Sequence, residues 1–322
     1  MKLSNLLRRW RGMADDPKPL GEMPAAYEHL ERFQALADQH GDRATGTSGY
    51  EAAAQYVEEQ LAGAGYQSIR QYFTFKHRGG TVETFNIIAE TEAGSADSVI
   101  MLGAHLDGVP GAPAINDNAS GAAALLVAAT VLGREGRINN KVRFAWWGAE
   151  EFSKSYGSRH YVRDLAKNNS GELANISAYL NFDMIASPNP VIGVYDARDP
   201  EPIHAVTGGS EEIMGVFTDY FDSLGQPWIA TDWDYDSDQI AFVKKGVAAG
   251  GLYSGDSDKK TTREAQLFGG RAKRPCDPNY HQPGDDIRNV DVEALRLMTD
   301  AIVHVASRLA EDNSVLQVTL QP

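Results

Sequence analysis

Residues 98–107 read SVIMLGAHLD. Ser98 to Ala104 form a short, nearly continuous apolar run, the pattern of a strand covered on both faces, as in a parallel sheet. The run stops at His105 and Asp107. Open parallel sheets place their ligands beyond the carboxyl ends of the strands, so these two residues stand where chemistry is expected. Working outward toward the C-terminus, the pattern predicts a helix over 119–132, a strand over 141–147, a helix over 155–168 and a strand over 176–182. A helix over 211–224, a strand over 246–253 and a last helix over 290–309 follow. Toward the N-terminus, Ala26, Leu30, Phe33 and Leu36 recur at helical spacing within 24–40, a second helix covers 48–64, and 69–75 and 84–89 read as strands. Alternating strands and helices predict one α/β domain, a three-layer α/β/α sandwich around a mixed, mostly parallel sheet.

The remaining composition sets limits. The chain has 322 residues and a formal charge of −14, which repels phosphate backbones and makes nucleic acid an unfavourable partner. No run of 18 apolar residues is read in it, so no membrane span is expected. Cys276 is the single cysteine, so a metal site must be built from histidines and carboxylates. Residues 1–23 are expected to be a flexible lead and 313–322 a tail, with the domain over 24–312. The Leu3–Leu7 stretch is too short and broken for a secretory leader.

Other strands also end in ionisable residues: Glu150 and Glu151 follow 141–147, and Asp183 follows 176–182. Asp117 lies in NDNASG before the alanine-rich helix, and Tyr280 and His281 lie in a late loop. Imidazoles with carboxylates suit zinc when sulfur is absent. Two zinc ions 3.5–4 Å apart need a bridging carboxylate. Asp117 is expected to bridge, with His105 and Asp183 on one ion and Glu151 and His281 on the other. Glu150 stays free to move protons, and Asp107 is expected to accept the second imidazole N–H of His105. The Glu pair follows the apolar VRFAWWGA, which separates it from a solvated pair such as Glu211–Glu212. Trp146 and Trp147 read as core.

Five segments together resemble a known family: AHLDGVPGAPAINDNASG (104–121), VRFAWWGAEE (142–151), YLNFDMIASPNP (179–190), AAGGLYSG (248–255) and DPNYHQPGDDIRNV (277–290). In this order they are similar to the co-catalytic zinc aminopeptidases of peptidase clan MH, of the bacterial secreted leucine aminopeptidase type. The resemblance implies two Zn²⁺ per chain on His105, Asp117, Glu151, Asp183 and His281, with Glu150 as general base. It also implies a cis peptide at Asp117–Asn118 and Tyr280 as oxyanion partner. Met184, Leu252 and Tyr253 are candidates for an apolar pocket, with core packing as the competing reading. Peptides with a free N-terminus are the implied substrates, and a monomer is expected. The relatives are commonly exported, whereas the chain as given would be cytoplasmic if complete.

The sequence departs from those relatives in places. Cys276 has no partner, because Asn279 stands where they often carry cysteine. Asp236 replaces a frequent arginine and is expected to favour substrates with a basic first residue. Arg296 occupies a position expected to be acidic in an accessory calcium site, so that site is not expected. The competing enzyme reading is a single-zinc glutaminyl cyclase on the same fold, and a remote one is an inactive receptor-like ectodomain.

Overall fold

The apolar run that ends at His105 becomes the central strand of an eight-stranded sheet. A computed structural model describes residues 25–134, 138–152, 154–198, 208–233 and 237–316. Strand β3 (Ser95–His105) lies between β4 (Asn140–Trp147) and β5 (Ile176–Phe182) and runs parallel to both. Strand β8 (Ala249–Tyr253) extends this parallel block beside β5. On the far side of β4 a hairpin of β1 (Ser68–His77) and β2 (Gly80–Glu90) adds two antiparallel strands. The short β6 (Gly193–Tyr195) and β7 (Ile229–Thr231) finish the other edge. The order is β1-β2-β4-β3-β5-β8-β6-β7, the mixed, mostly parallel sheet expected from the sequence.

Helices cover both faces. One layer holds α1 (Ala25–His40), α2 (Ser48–Gly63), α3 (Ser120–Leu132), α6 (Ser210–Ser223) and α9 (Val292–Glu311). The other holds α4 (Tyr156–Asn168), α5 (Ser170–Ala174) and α7 (Gln239–Val243). The neighbouring tryptophans of β4 show the alternation. Trp146 donates its indole N–H to Ala122 of α3, whereas Trp147 packs on Tyr161 of α4 and Phe242 of α7. Both are fully buried, as their reading as core residues required. Gly103 in β3 leaves room for Trp147 and Tyr179: a Cβ there would strike the Tyr179 hydroxyl and the Trp147 indole nitrogen.

All of α3 except Thr130 is buried, so its apolar surface runs all round, as in a core helix. Continued back to Ile115, this segment is long and apolar enough to cross a membrane by length and composition, and 94% of it is buried inside the molecule. The sequence reading passed over that run. It also missed β6 and β7, whose three residues are too few to show a period, and the short α5, α7 and α8 (Thr262–Phe268). The strand expected from 246 starts at Ala249, because Gly246 turns at φ +80°. The helix expected from Ser155 starts at Tyr156, because Ser155 is left-handed at φ +43°. The lead over 1–23 lies outside the described residues.

Candidate metal centre

The carboxyl ends of β4, β3 and β5, three adjacent strands, present Glu150 and Glu151, His105, and Asp183. Asp117 arrives from a kinked turn, Ile115–Ala119, between β3 and α3, in which Asp117 and Asn118 have non-helical backbone angles. Its peptide bond to Asn118 is cis, as the resemblance implies. His281 arrives from the loop before α9.

Two donor groups form around Asp117. His105 Nε2 lies 3.2 Å from Asp117 Oδ1 and 3.2 Å from Asp183 Oδ1. His281 Nε2 lies 3.1 Å from Asp117 Oδ2 and 3.1 Å from Glu151 Oε2. These are the two clusters able to hold a metal among the described residues, and Asp117 belongs to both. A tetrahedral ion with bonds of about 2.05 Å holds its ligand atoms about 3.3 Å apart, close to the spacing seen. Glu151 Oε1 is also buried without a hydrogen-bond partner. The donors therefore fit zinc.

Further contacts aim these donors. His105 Nδ1 lies 3.0 Å from the backbone carbonyl of Asp107, to which it donates, leaving Nε2 as the free electron pair. The sequence assigned that acceptor role to the Asp107 carboxylate, which lies 3.8 Å away. That carboxylate is engaged elsewhere: it accepts the Glu150 N–H at 3.2 Å and the Thr45 hydroxyl at 3.1 Å. Thr45 in turn accepts the Ala149 N–H at 2.9 Å. Asp107 thus holds the turn that carries Glu150 and Glu151. Ser155 donates to Glu150 Oε1 at 3.0 Å, and Ser237 donates to Asp183 Oδ2 at 2.8 Å. Ser237 is backed by a buried polar chain, Trp147 to Tyr179 to Asn181.

The other assigned residues fall as follows. Tyr280 stacks on His281, with ring centroids 3.9 Å apart. Met184, directly after Asp183, is 4% exposed and left-handed at φ +56°. Tyr253 is partly buried. Leu252 is fully buried in the core, so packing wins over the pocket reading there, because a side chain with no free surface offers none to a substrate. Asp236 lies outside the described residues.

Several residues at the site escaped the sequence reading. Arg43 is fully buried and donates to the carbonyls of Pro113, Leu106 and Ala114 at 3.3, 2.6 and 2.5 Å. It pins the loop between His105 and Asp117, and its charge faces Asp285, Asp107, Asp117 and Glu151. No periodicity marks it; a lone arginine in GDRATG looks like any loop cation. Arg43→Met is expected to destabilise the fold by on the order of 3 kcal/mol, because three buried carbonyls lose their donors. Urea unfolding checks this, and a loss under about 1 kcal/mol refutes it. Asp238 is 1% exposed, with the Ser158 hydroxyl beside its carboxylate and the charges of His105, Asp183 and Asp107 facing it.

Electrostatics follow from this crowding of acids. Burial pushes Glu151 up to about 8, Asp238 up to about 7 and Asp285 up to about 7. Burial also raises Glu150 well above its ordinary value. Burial opposes ionisation of Asp117 too, but its bonds to His105 and His281 bring it below the usual carboxylate range. Burial pulls His281 down, yet Asp117 and Glu151 carry it up to about 10.

A pH dependence of the metal-free protein follows. Glu151, Asp238 and Asp285 sit above their ordinary values of 4.5, 3.8 and 3.8, so the folded chain holds protons that the unfolded chain releases. The stability they contribute is complete below about pH 4 and is lost as pH rises to about 8. His281 has the same sign between 6.5 and about 10. The melting temperature of chelator-treated protein is expected to fall steadily from pH 5 to pH 8. A rise over that range would contradict this balance.

Solved structures share this fold. A zinc aminopeptidase from Bacillus subtilis (BSAP) superposes with a TM-score of 0.72 at 15% identity, over 90% of this chain and 96% of its own. A Porphyromonas gingivalis glutaminyl cyclase superposes at 0.68 and 18%, over 88% and 97%. The α/β fold is the one these zinc aminopeptidase and glutaminyl cyclase structures share. Residues 86–306 match Peptidase family M28, and the chain belongs to that family. It is 43% identical over 232 residues to the probable lipoprotein aminopeptidase LpqL of Mycobacterium tuberculosis, covering 70% of this chain and 46% of that one. It is 39% identical over 289 residues to leupeptin-inactivating enzyme 1 of Streptomyces exfoliatus, covering 89% and 61%. Against leucine aminopeptidase 2 of Trichophyton rubrum it is 43% identical over 227 residues, covering 70% and 45%. The chain thus spans about half to three-fifths of the length of these curated relatives.

Proposed function

We propose that the chain is a metallo-aminopeptidase that removes the N-terminal residue from peptides. The observation that carries this reading is the pair of donor triads sharing Asp117, with Glu150 belonging to neither. His105, Asp117 and Asp183 would hold one zinc, and Asp117, Glu151 and His281 the other. When bound, the ions polarise the substrate carbonyl and lower the pKa of water. Glu150 Oε takes the proton of the attacking water and returns it to the leaving amine. Its raised proton affinity in the metal-free site suits a group that must hold a proton between the two steps. Ser155 orients that carboxylate through Oε1. Glu150 and Asp183 hold the free α-ammonium of the substrate, and the Tyr280 hydroxyl donates to the developing oxyanion. Met184 and Tyr253 border the pocket for the first side chain.

Metal analysis with a panel of aminoacyl-nitroanilides, each with and without an N-acetyl group, tests this reading. Two zinc equivalents and cleavage of the free-amine substrates alone are expected. Cleavage of acetylated substrates refutes an exopeptidase. One zinc equivalent, with cyclisation of N-terminal glutamine in place of amino-acid release, would make the chain a glutaminyl cyclase.

A further inference from the structure

Asp285 lies four residues beyond His281, yet its contacts are with the turn that presents Asp117. Its backbone carbonyl accepts the N–H of Ile115 at 3.1 Å. Its Oδ1 accepts the N–H of Asn116 at 2.8 Å, and its Oδ2 accepts the N–H of Asp117 at 3.0 Å. Three successive backbone donors of one turn therefore end on a single residue, which is 1% exposed. A second tie runs from Asn116 Nδ2 to Asp277 Oδ2 at 2.7 Å, at the other end of the His281 loop. Asn289 Nδ2 donates to both Asp277 and Asp285 and so joins the two ends. Asn279, which stands where a cysteine is frequent in the resembling sequences, donates to Asn289 at 2.7 Å. Between these anchors His281 is 39% exposed and left-handed at φ +57°.

We propose that Asp285 is a positioning residue that makes the Asp117 turn and the His281 loop one mechanical unit. The Asp117–Glu151–His281 site then depends on it more than the His105–Asp117–Asp183 site does. This rests on the two-metal reading above. The asymmetry follows from where the donors originate. Two of the three donors of the second site come from the clasped segments. The first site draws only Asp117 from them; its other two donors stand at strand ends held by the sheet. Freeing the loop leaves His281 to be ordered by the metal itself, and supports of this kind are usually worth about 10- to 100-fold in metal affinity.

The test titrates metal-free wild type and Asp285→Asn with zinc against a competing chelator, and follows amide exchange in the same metal-free proteins. Asparagine keeps the size of the side chain but only one of its two acceptors. The second zinc equivalent is expected to weaken by about 10- to 100-fold in the variant while the first changes by less than about threefold. Exchange at Ile115, Asn116 and Asp117 is expected to quicken by about tenfold or more. Ile302→Val, a core change in α9, is expected to lower stability and leave both affinities alone. Equal weakening of both equivalents, or an unchanged second one, overturns the proposal. If wild type takes up a single equivalent, the two-metal reading fails, and unaltered exchange at residues 115–117 would then separately refute the clasp. Should Asp285→Asn fail to fold, Asn289→Ser is expected to show the same order of effects, and its absence is equally decisive.

Discussion

Glu150→Ala is expected to bind zinc as the wild type does and to lose about two to four decades of kcat, the usual weight of a general acid–base group. The separation of chemistry from metal binding comes from the turn after β4. Glu151 Oε2 faces His281, whereas Glu150 Oε1 is held by Ser155. The alanine variant keeps every donor of both triads, and the backbone N–H of residue 150 can still reach Asp107 Oδ1, so the turn is retained. KM for a neutral leaving group is expected to change less than kcat, because proton transfer belongs to the transition state. Metal analysis and steady-state kinetics on one preparation check the result. Loss of a zinc equivalent would make Glu150 a ligand instead of the base, and a fall of less than about tenfold would remove it from the reaction.

Asp117→Ala is expected to have the larger effect on metal content, since it alone belongs to both donor groups. Without it each group keeps two protein donors, fewer than the three or four that zinc sites in proteins use. Both equivalents are expected to dissociate on gel filtration, and activity is expected to fall to background. Glu151→Ala, by contrast, removes a donor from one group and should spare the other equivalent. Retention of one tight zinc by Asp117→Ala would show that the carboxylate does not bridge.

Much of this site was legible because parallel strands announce themselves. The apolar runs before His105, Glu150 and Asp183 mark strands, and the residue after each run is where a ligand belongs. Asp117 and His281 stand in loops, and they were legible because a two-zinc donor set without sulfur needs a bridging carboxylate and a further imidazole; the motif order shared with the zinc aminopeptidases agrees with that choice. What stayed hidden was the support. Arg43, Thr45, Ser237 and Asp285 act through contacts between segments far apart in sequence, with Asp285 reaching across 168 residues to Asp117. A one-dimensional pattern carries no record of such pairs. Asp107 shows the limit from the other side: its importance was legible and its partner was not. The side chain goes to the Glu150 amide and the backbone carbonyl takes the imidazole, and spacing alone does not separate those choices. Leu252 followed the apolar character of β8 into the core, where motif proximity had suggested a pocket.

The order of the sheet has a further consequence. Donors of both triads hang from β4, β3 and β5, which are successive rungs of one hydrogen-bonded ladder. Rung spacing in any sheet is about 4.8 Å and is set by the peptide group, whatever the side chains. The spacing of Glu151, His105 and Asp183 is therefore set by the backbone.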